Sequence, residues 1–367
     1  MVGSIVGVGV FGLPYVFAQV GYVTGLVVLV VLAVIMTGML FMYADVVQHT
    51  PGEHRFSGDV EIYLGKFWGR VCTVTLAFGF WGAMLAFAVA GGRLLMDLFG
   101  LEGTTVETLL GLSVIGLIAA LSYQGIRFVA RLEVWMLAIL AFLFLFIILA
   151  SLPHANLANL APTVQGHGLV ALYGVVFFAL TGGINAIPEM RSLLGKRGSL
   201  PYAVFLGMVG VTVLYALFTL AVVAVTGSHT SEFAVDALAP YIGNSFRFVG
   251  GSLALVCILS AFLVSSIELQ NSLHYDNRLG RFPAWALALG IPTLFYLVGV
   301  RSFIGILGFI GAVFTGVNGI LVVMTYERMR ATKVCREHVC LEMPKVVTVG
   351  LVLLYVFGII ITLFSFF

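Results

Sequence analysis

Charge is what this sequence has least of. Only 9% of its 367 residues are Asp, Glu, Lys or Arg, and 61% are hydrophobic, whereas an average soluble domain carries about 25% charged residues. A soluble fold of this size keeps a large polar exterior, so the composition excludes one. The apolar residues come in long runs, each near the roughly 20 needed to cross a bilayer, and the medium around most of the surface is therefore lipid. Cysteine is also scarce. Four in the whole chain give no disulfide framework, and Cys72 and Cys257, inside apolar runs, read as small fillers. No Gly-x-x-x-x-Gly-Lys-Ser/Thr loop is present, which argues against an ATP-driven pump. No charged or metal-ligand constellation falls at membrane depth, so neither an enzyme nor a cofactor or metal is expected. Cys335, His338 and Cys340 cluster in a short basic loop but supply three ligands without a fourth. No n-region or small-residue cleavage site precedes the first apolar run, so no cleavable signal peptide is expected.

Glycine, at 43 residues, is abundant, which in a membrane protein suggests close helix packing and deliberately broken helices. Eleven membrane segments are expected, at about 2–20, 22–47, 71–98, 106–123, 130–152, 168–190, 201–227, 243–271, 283–299, 303–326 and 346–367. The fold class is all-α and polytopic, a single transmembrane domain spanning 1–367. The polar gap 48–70 holds Ser57-Gly58-Asp59 and an amphipathic stretch to Trp68, which reads as a helix lying at the interface. Only six residues precede the Gly-rich stretch of segment one. They would rise about 9 Å, less than half of a ~30 Å hydrocarbon core, so the expectation is a start upstream of Met1.

The basic residues orient the chain. Arg55, Lys66, Arg70, Arg127, Arg131, Arg191, Lys196, Arg197, Arg278, Arg281, Arg328, Arg330, Lys333, Arg336 and Lys345 fall on one side of the alternating segments. Of the 18 Lys and Arg, that leaves Arg93, Arg247 and Arg301 for the other. The positive-inside rule puts the first group in the cytoplasm, with the N-terminus cytoplasmic and the C-terminus outside. Arg93 and Asp97, spaced i, i+4 near the outer surface, are expected to pair with each other.

Segments one and six carry the chemistry. Segment one reads Gly3-Ser-Ile-Val-Gly7-Val-Gly9-Val-Phe-Gly12-Leu-Pro14-Tyr15, and segment six reads Phe178-Ala-Leu-Thr181-Gly182-Gly183-Ile-Asn185-Ala-Ile-Pro188-Glu189. Offset by 174 residues, Pro14 meets Pro188, Gly9 meets Gly183 and Gly7 meets Thr181. Glycine lowers the cost of leaving helical dihedrals and proline removes a donor. Unwound backbone cannot face hydrocarbon, so it must line an enclosed cavity. Freed N–H groups at the start of a second half-helix suit a carboxylate, and freed carbonyls at the end of the first suit an ammonium or metal cation. Two such breaks suit a zwitterion, an α-amino acid. Five segments separate them, an odd number, so the second copy is inverted: repeat one about 1–152, repeat two about 168–326, and an extra helix about 346–367.

At these residues the chain resembles the amino acid–polyamine–organocation superfamily. The Gly-Ser-Ile-Val-Gly-Val-Gly-Val-Phe-Gly-Leu-Pro-Tyr stretch is similar to the first-helix motif of its amino acid permeases. Leu-Pro-Tyr and Ala-Ile-Pro-Glu lean toward the amino acid/auxin permeases and the tryptophan/tyrosine permeases. The resemblance implies a leucine-transporter-type fold, with a 5+5 inverted repeat, helices 1 and 6 broken and an eleventh helix added. It also implies alternating access and uptake driven by H⁺ or Na⁺. Carried over, the substrate carboxylate meets N–H groups of Gly7, Val8 and Gly9. The ammonium meets carbonyls of Ile5 and of the stretch Ala179, Leu180, Thr181, Gly182, close to Gly183. Trp81 in segment three is the candidate aromatic lid.

For coupling, Gly3 and Val6 match the segment-one part of a Na⁺ site, and Ser260, Ser265 and Ser266 offer segment-eight hydroxyls, although such serines also bond their own backbone. The resemblance offers a second device, a lysine in segment five, and no central Lys is present there. Glu189, just past Pro188, is the leading proton carrier, because an ionisable group at depth is costly and usually functional. Asp45 and Glu268 read as interfacial or gate residues. The expected function is secondary transport of a neutral, aromatic or branched amino acid across the cell membrane; the partners are that amino acid and the bilayer, with no nucleic acid. A metal transporter of this fold would need Asp-Pro-Gly-Asn and Met-Pro-His at the two breaks, which hold Gly-Leu-Pro-Tyr and Ala-Ile-Pro-Glu instead. A sensor or scaffold that binds without transporting, and a passive channel, stay open.

Overall fold

The computed structural model describes the chain outside residues 1–4, 8, 53, 124–125, 162–167, 195–198, 277–278, 333–340 and 367, and outside the side chains of 126–137, 193, 235–236, 244, 275–276 and 366. Gly3, Val8, Cys335, His338 and Cys340 lie outside the described residues. Among those described, the regular structure is helical: α1 Gly9–Val20, α2 Tyr22–His49, α3 Phe56–Leu64, α4 Lys66–Phe99, α5 Thr104–Tyr123, α6 Ile126–Ser151, α7 Gly168–Leu180, α8 Gly183–Leu194, α9 Leu200–Thr226, α10 Ala234–Ile242, α11 Asn244–Asn271, α12 Arg281–Leu297, α13 Phe303–Ile310, α14 Gly316–Arg330 and α15 Lys345–Phe366. Eight helical stretches of the described residues are long and apolar enough to cross a bilayer, and shorter apolar helices cover Gly9–Val20 and Ala138–His154. Each of the eleven expected segments coincides, in whole or in part, with one or two of the fifteen helices above.

Two boundaries moved. The interfacial helix α3 stops at Leu64, because Gly65 sits at φ 91°, where a side chain would be strained. Trp68 therefore belongs to α4, which starts at Lys66 rather than at 71. Segment six is two helices, α7 and α8, parted at Thr181 and Gly182. Segment one is parted at Val6 and Gly7, and α1 begins at Gly9. The second half-helices thus start on Gly9 and Gly183, the pair that meets at the 174-residue offset.

A turn of π-helix, Gly311–Thr315, joins α13 to α14. It lies directly against α7. A Cβ on Gly311 would overlap the main chain of Gly174 in α7, and one on Gly174 would overlap that of Gly308 at the end of α13, so the two segments touch backbone to backbone. Small residues that let helices approach this closely replace the hydrophobic drive that is missing between helices in lipid. The eleventh helix, α15, is seated on the same assembly, with the Tyr355 ring against Gly319 and Phe177.

The ends of the bundle differ. At the basic end, Arg191 donates to the Thr50 carbonyl (3.1 Å), Arg281 to that of Tyr123 (2.7 Å), and the Leu341 N–H to Asp45 Oδ2 (3.2 Å). At the opposite end, Arg93 does not pair with Asp97 as their spacing suggested. Arg93 reaches Glu107 (3.2 Å) on α5 and Glu232 (3.0 Å) ahead of α10, and Arg247 on α11 pairs with Asp97 (2.8 Å). Arg301 completes the group, 3.8 Å from Glu107, with its carbonyl accepting from Arg93. Side chains at i and i+4 are neighbours on a helix, but here each finds a partner of opposite charge on another helix. Arg93, Arg247 and Arg301 are all in ion pairs, and together they cross-tie five parts of the chain.

Candidate binding cavity

The two breaks meet. A Cβ added to Gly9 would stand 2.9 Å from the Ala179 Cα, so the start of α1 crosses the end of α7 at a distance only glycine permits. Gly7 faces open space. Around this crossing lies a cavity of about 540 Å³ that extends to Arg55, Asn271 and Ser272 at the basic end. Rings of Phe11, Phe56, Phe80, Phe87, Phe178 and Phe314 line it, together with Ile258, Val264 and Ile310. An apolar chamber with few polar groups is the usual form of a small-molecule site.

The unwound main chain is partly satisfied by local turns: Thr181 N–H to Phe178 O and Ile184 N–H to Thr181 O, each 3.2 Å, and Val10 N–H to Gly7 O, 3.4 Å. Tyr215 on α9, fully buried, places its hydroxyl 3.2 Å from Ile5 O and 2.9 Å from Ala179 O. One phenol thus ties the ends of both first half-helices. These are the carbonyls that the sequence offers to an ammonium, and a carbonyl has two lone pairs, so each keeps one. Sequence reasoning missed Tyr215, one of 13 tyrosines, because nothing in segment seven marks the face it presents to the breaks.

Of the expected site residues, Ile5, Val6, Gly7, Gly9, Ala179, Thr181 and Gly182 line the cavity, as do Ser260, Ser265 and Glu189. Gly183 and Leu180 are buried beside the break and do not line it. Ser266 is fully buried and donates to Leu263 O (2.8 Å), so its hydroxyl caps its own helix. Trp81 is not in the wall either. Its indole N–H goes to the Leu287 carbonyl (3.2 Å) on α12, and its ring stands edge-on to Phe78, which stacks on Phe314. The rings that α4 presents to the cavity are instead the neighbouring Phe80 and, two turns on, Phe87. Cys72 and Cys257 are both buried, and Cys257 reaches the cavity wall. Asp45 is held by His49 (3.3 Å) and the Leu341 N–H, while Glu268 stands at the cavity's basic end.

Other polar side chains reach the chamber from the α7–α8 break, from α8 and from the continuous helical stretch of α13, the π turn and α14. Thr181 donates to Phe177 O (2.6 Å) and meets Thr315 Oγ1 at 2.9 Å. Asn318, one turn beyond Thr315, accepts from Thr75 (2.7 Å) on α4. Asn185 lines the cavity from α8. π turns often mark functional positions, and this one carries Thr315. Behind α8, Asp59 on the interfacial helix α3 is buried and accepts from the Tyr43 hydroxyl (3.0 Å). Burial pushes its carboxyl up to about 6, against the opposing pull of Tyr43, His54 and Arg191.

A multi-pass membrane protein with two facing broken helices around a central chamber is a transporter of the leucine-transporter type. The same fold is found in a crystal structure of MhsT in complex with L-phenylalanine, with a TM-score of 0.71, 15% identity, and coverage of 100% of this chain and 97% of that one. The tryptophan/tyrosine permease family description matches residues 1–365, and the chain belongs to that family of amino acid permeases. It is also 23% identical, over 98% of its own length and 93% of the other's, to tyrosine-specific transport system 1 of Haemophilus influenzae (strain ATCC 51907 / DSM 11121 / KW20 / Rd).

Proposed function

We propose that this permease imports an aromatic amino acid, tyrosine foremost, across the cell membrane by alternating access driven by protons. The observation that carries the reading is the crossing of two broken helices inside a chamber walled by six phenylalanine rings. The N-termini of α1 and α8 suit the carboxylate, the remaining lone pairs on Ile5 and Ala179 suit the ammonium, and the rings suit an aromatic side chain. The tyrosine named for the Haemophilus relative, and the phenylalanine bound in MhsT, agree with that chemistry. The basic end faces the cytoplasm by the positive-inside rule, so the cavity opens inward and the arginine cluster closes the outer side. Glu189 sits in the wall, on the basic-end side of the break, where a proton taken up outside can be released inside. A Na⁺-driven variant is favoured by a different observation, the shared wall formed by Val6, Ser260 and Ser265.

The test is uptake of radiolabelled amino acids into proteoliposomes under an inward proton gradient, with and without Na⁺. Uphill tyrosine uptake that collapses with the gradient and becomes uncoupled in Glu189→Gln supports the proton reading. Uptake that needs Na⁺ alone moves coupling to Val6 and the two serines. Binding without accumulation of any amino acid would replace the transporter by a sensor on the same fold.

A further inference from the structure

Asn318 is 4% exposed and Thr315 3%, yet both line the cavity. Their hydrogens and lone pairs can be followed one by one. Thr181 has one hydroxyl hydrogen and gives it to Phe177 O, so in the Thr181–Thr315 pair the donor is Thr315. Thr315 then presents only lone pairs to the chamber. Thr75 also has one hydrogen. Its contact with Asn318 Oδ1, at 2.7 Å, is shorter than that with Cys72 O, at 3.0 Å. Among the described residues this is the one hydrogen bond that the Asn318 side chain makes, which leaves its Nδ2 hydrogens unpartnered. The wall of an otherwise aromatic and aliphatic chamber therefore carries an acceptor and a donor three residues apart, about 4.5 Å along the helix.

We propose that Thr315 and Asn318 bind the phenolic hydroxyl of a tyrosine substrate and make the permease select tyrosine over phenylalanine and tryptophan. A phenol both donates and accepts, so it satisfies the two groups at once. A phenyl ring does neither, and an indole N–H only donates. The site lies at the right place for this. Thr315 touches Thr181 in the break that holds the amino acid head group, and Asn318 is the next turn toward the basic end. A buried polar group left unpaired by the wrong ligand is what gives such sites their discrimination. The proposal rests on the aromatic amino acid reading above.

The experiment compares uptake efficiencies for tyrosine, phenylalanine and tryptophan in proteoliposomes containing the wild-type chain, Asn318→Leu and Thr75→Val. The wild type is expected to favour tyrosine over phenylalanine by about 10- to 100-fold. Asn318→Leu is expected to bring that ratio to within about threefold through loss of tyrosine uptake, while phenylalanine uptake persists and reports a folded protein. Thr75→Val, which only loosens the carboxamide, is expected to lower the ratio part of the way. If Asn318→Leu takes up nothing, the Thr75→Val ratio decides, and an unchanged ratio overturns the proposal. A wild type that treats tyrosine and phenylalanine alike, or variants that keep the wild-type ratio, also overturns it and leaves aromatic transport standing. A wild type that takes up no aromatic amino acid overturns the functional reading and this proposal together.

Discussion

Replacing Tyr215 by phenylalanine removes one oxygen and keeps the ring. The hydroxyl is fully buried and lies within hydrogen-bond distance of two main-chain carbonyls, Ile5 O and Ala179 O. It has one hydrogen, so the loss is that of a single shared bond rather than of two. A buried acceptor deprived of its donor costs about 1–3 kcal/mol, and that range is the expected destabilisation of the arrangement in which the ends of the two first half-helices are tied. A change of this size alters a conformational equilibrium by roughly 5- to 150-fold. The assay is the thermal unfolding midpoint of purified Tyr215→Phe in detergent, with and without saturating tyrosine. Without substrate the midpoint should fall below that of the wild type. With substrate the gain should exceed the wild-type gain, because an ammonium supplies donors to the carbonyls that the hydroxyl left. Equal midpoints together with equal substrate gains would show that the hydroxyl ties nothing and that the ammonium binds elsewhere.

Asp59 gives a pH dependence with a definite sign. Its folded-state value, about 6, lies above the ordinary 3.8, so the native protein holds this proton more tightly than the unfolded chain. Stability should therefore decline as pH rises from about 4 to about 6, by about 3 kcal/mol for this group. In Asp59→Asn that stretch of the midpoint-versus-pH curve should be flat, and an unaltered slope would assign it to another group. Arg93→Gln should loosen the opposite end, since Glu107 and Glu232 lose their shared cation. With a reporter cysteine at Ala83 in the cavity wall and the native cysteines replaced, labelling by an impermeant maleimide from that side should speed up several-fold. Unchanged labelling would mean that the arginine cluster does not close the chamber.

The sequence already discloses an all-helical membrane fold, because each span needs its own apolar run, and it discloses the breaks, because glycine and proline act locally. The 174-residue offset even identifies Gly9 and Gly183, where the second half-helices begin. Contacts between helices are less accessible. In a helix that is apolar all round, no stripe marks the inward face. Trp81 and Phe80 are adjacent, about 100° apart on the helix, and only the packing of α4 against α12 decides which ring enters the cavity. The same limit hid Tyr215 and the Thr315–Asn318 pair, whose partners lie on other helices. Arg93 and Asp97 show it for charges, where local spacing offered one pairing and the fold used four elements to make others.

The bare contact between Gly174 and Gly311 has a mechanical consequence. Where two helices meet through side chains, rotamers can absorb small displacements. Main chain against main chain has no such cushion, so a shift of α7 passes undiminished into the π turn and the residues it carries. Movement of α7 at its break would therefore carry Thr315 and Asn318 with it.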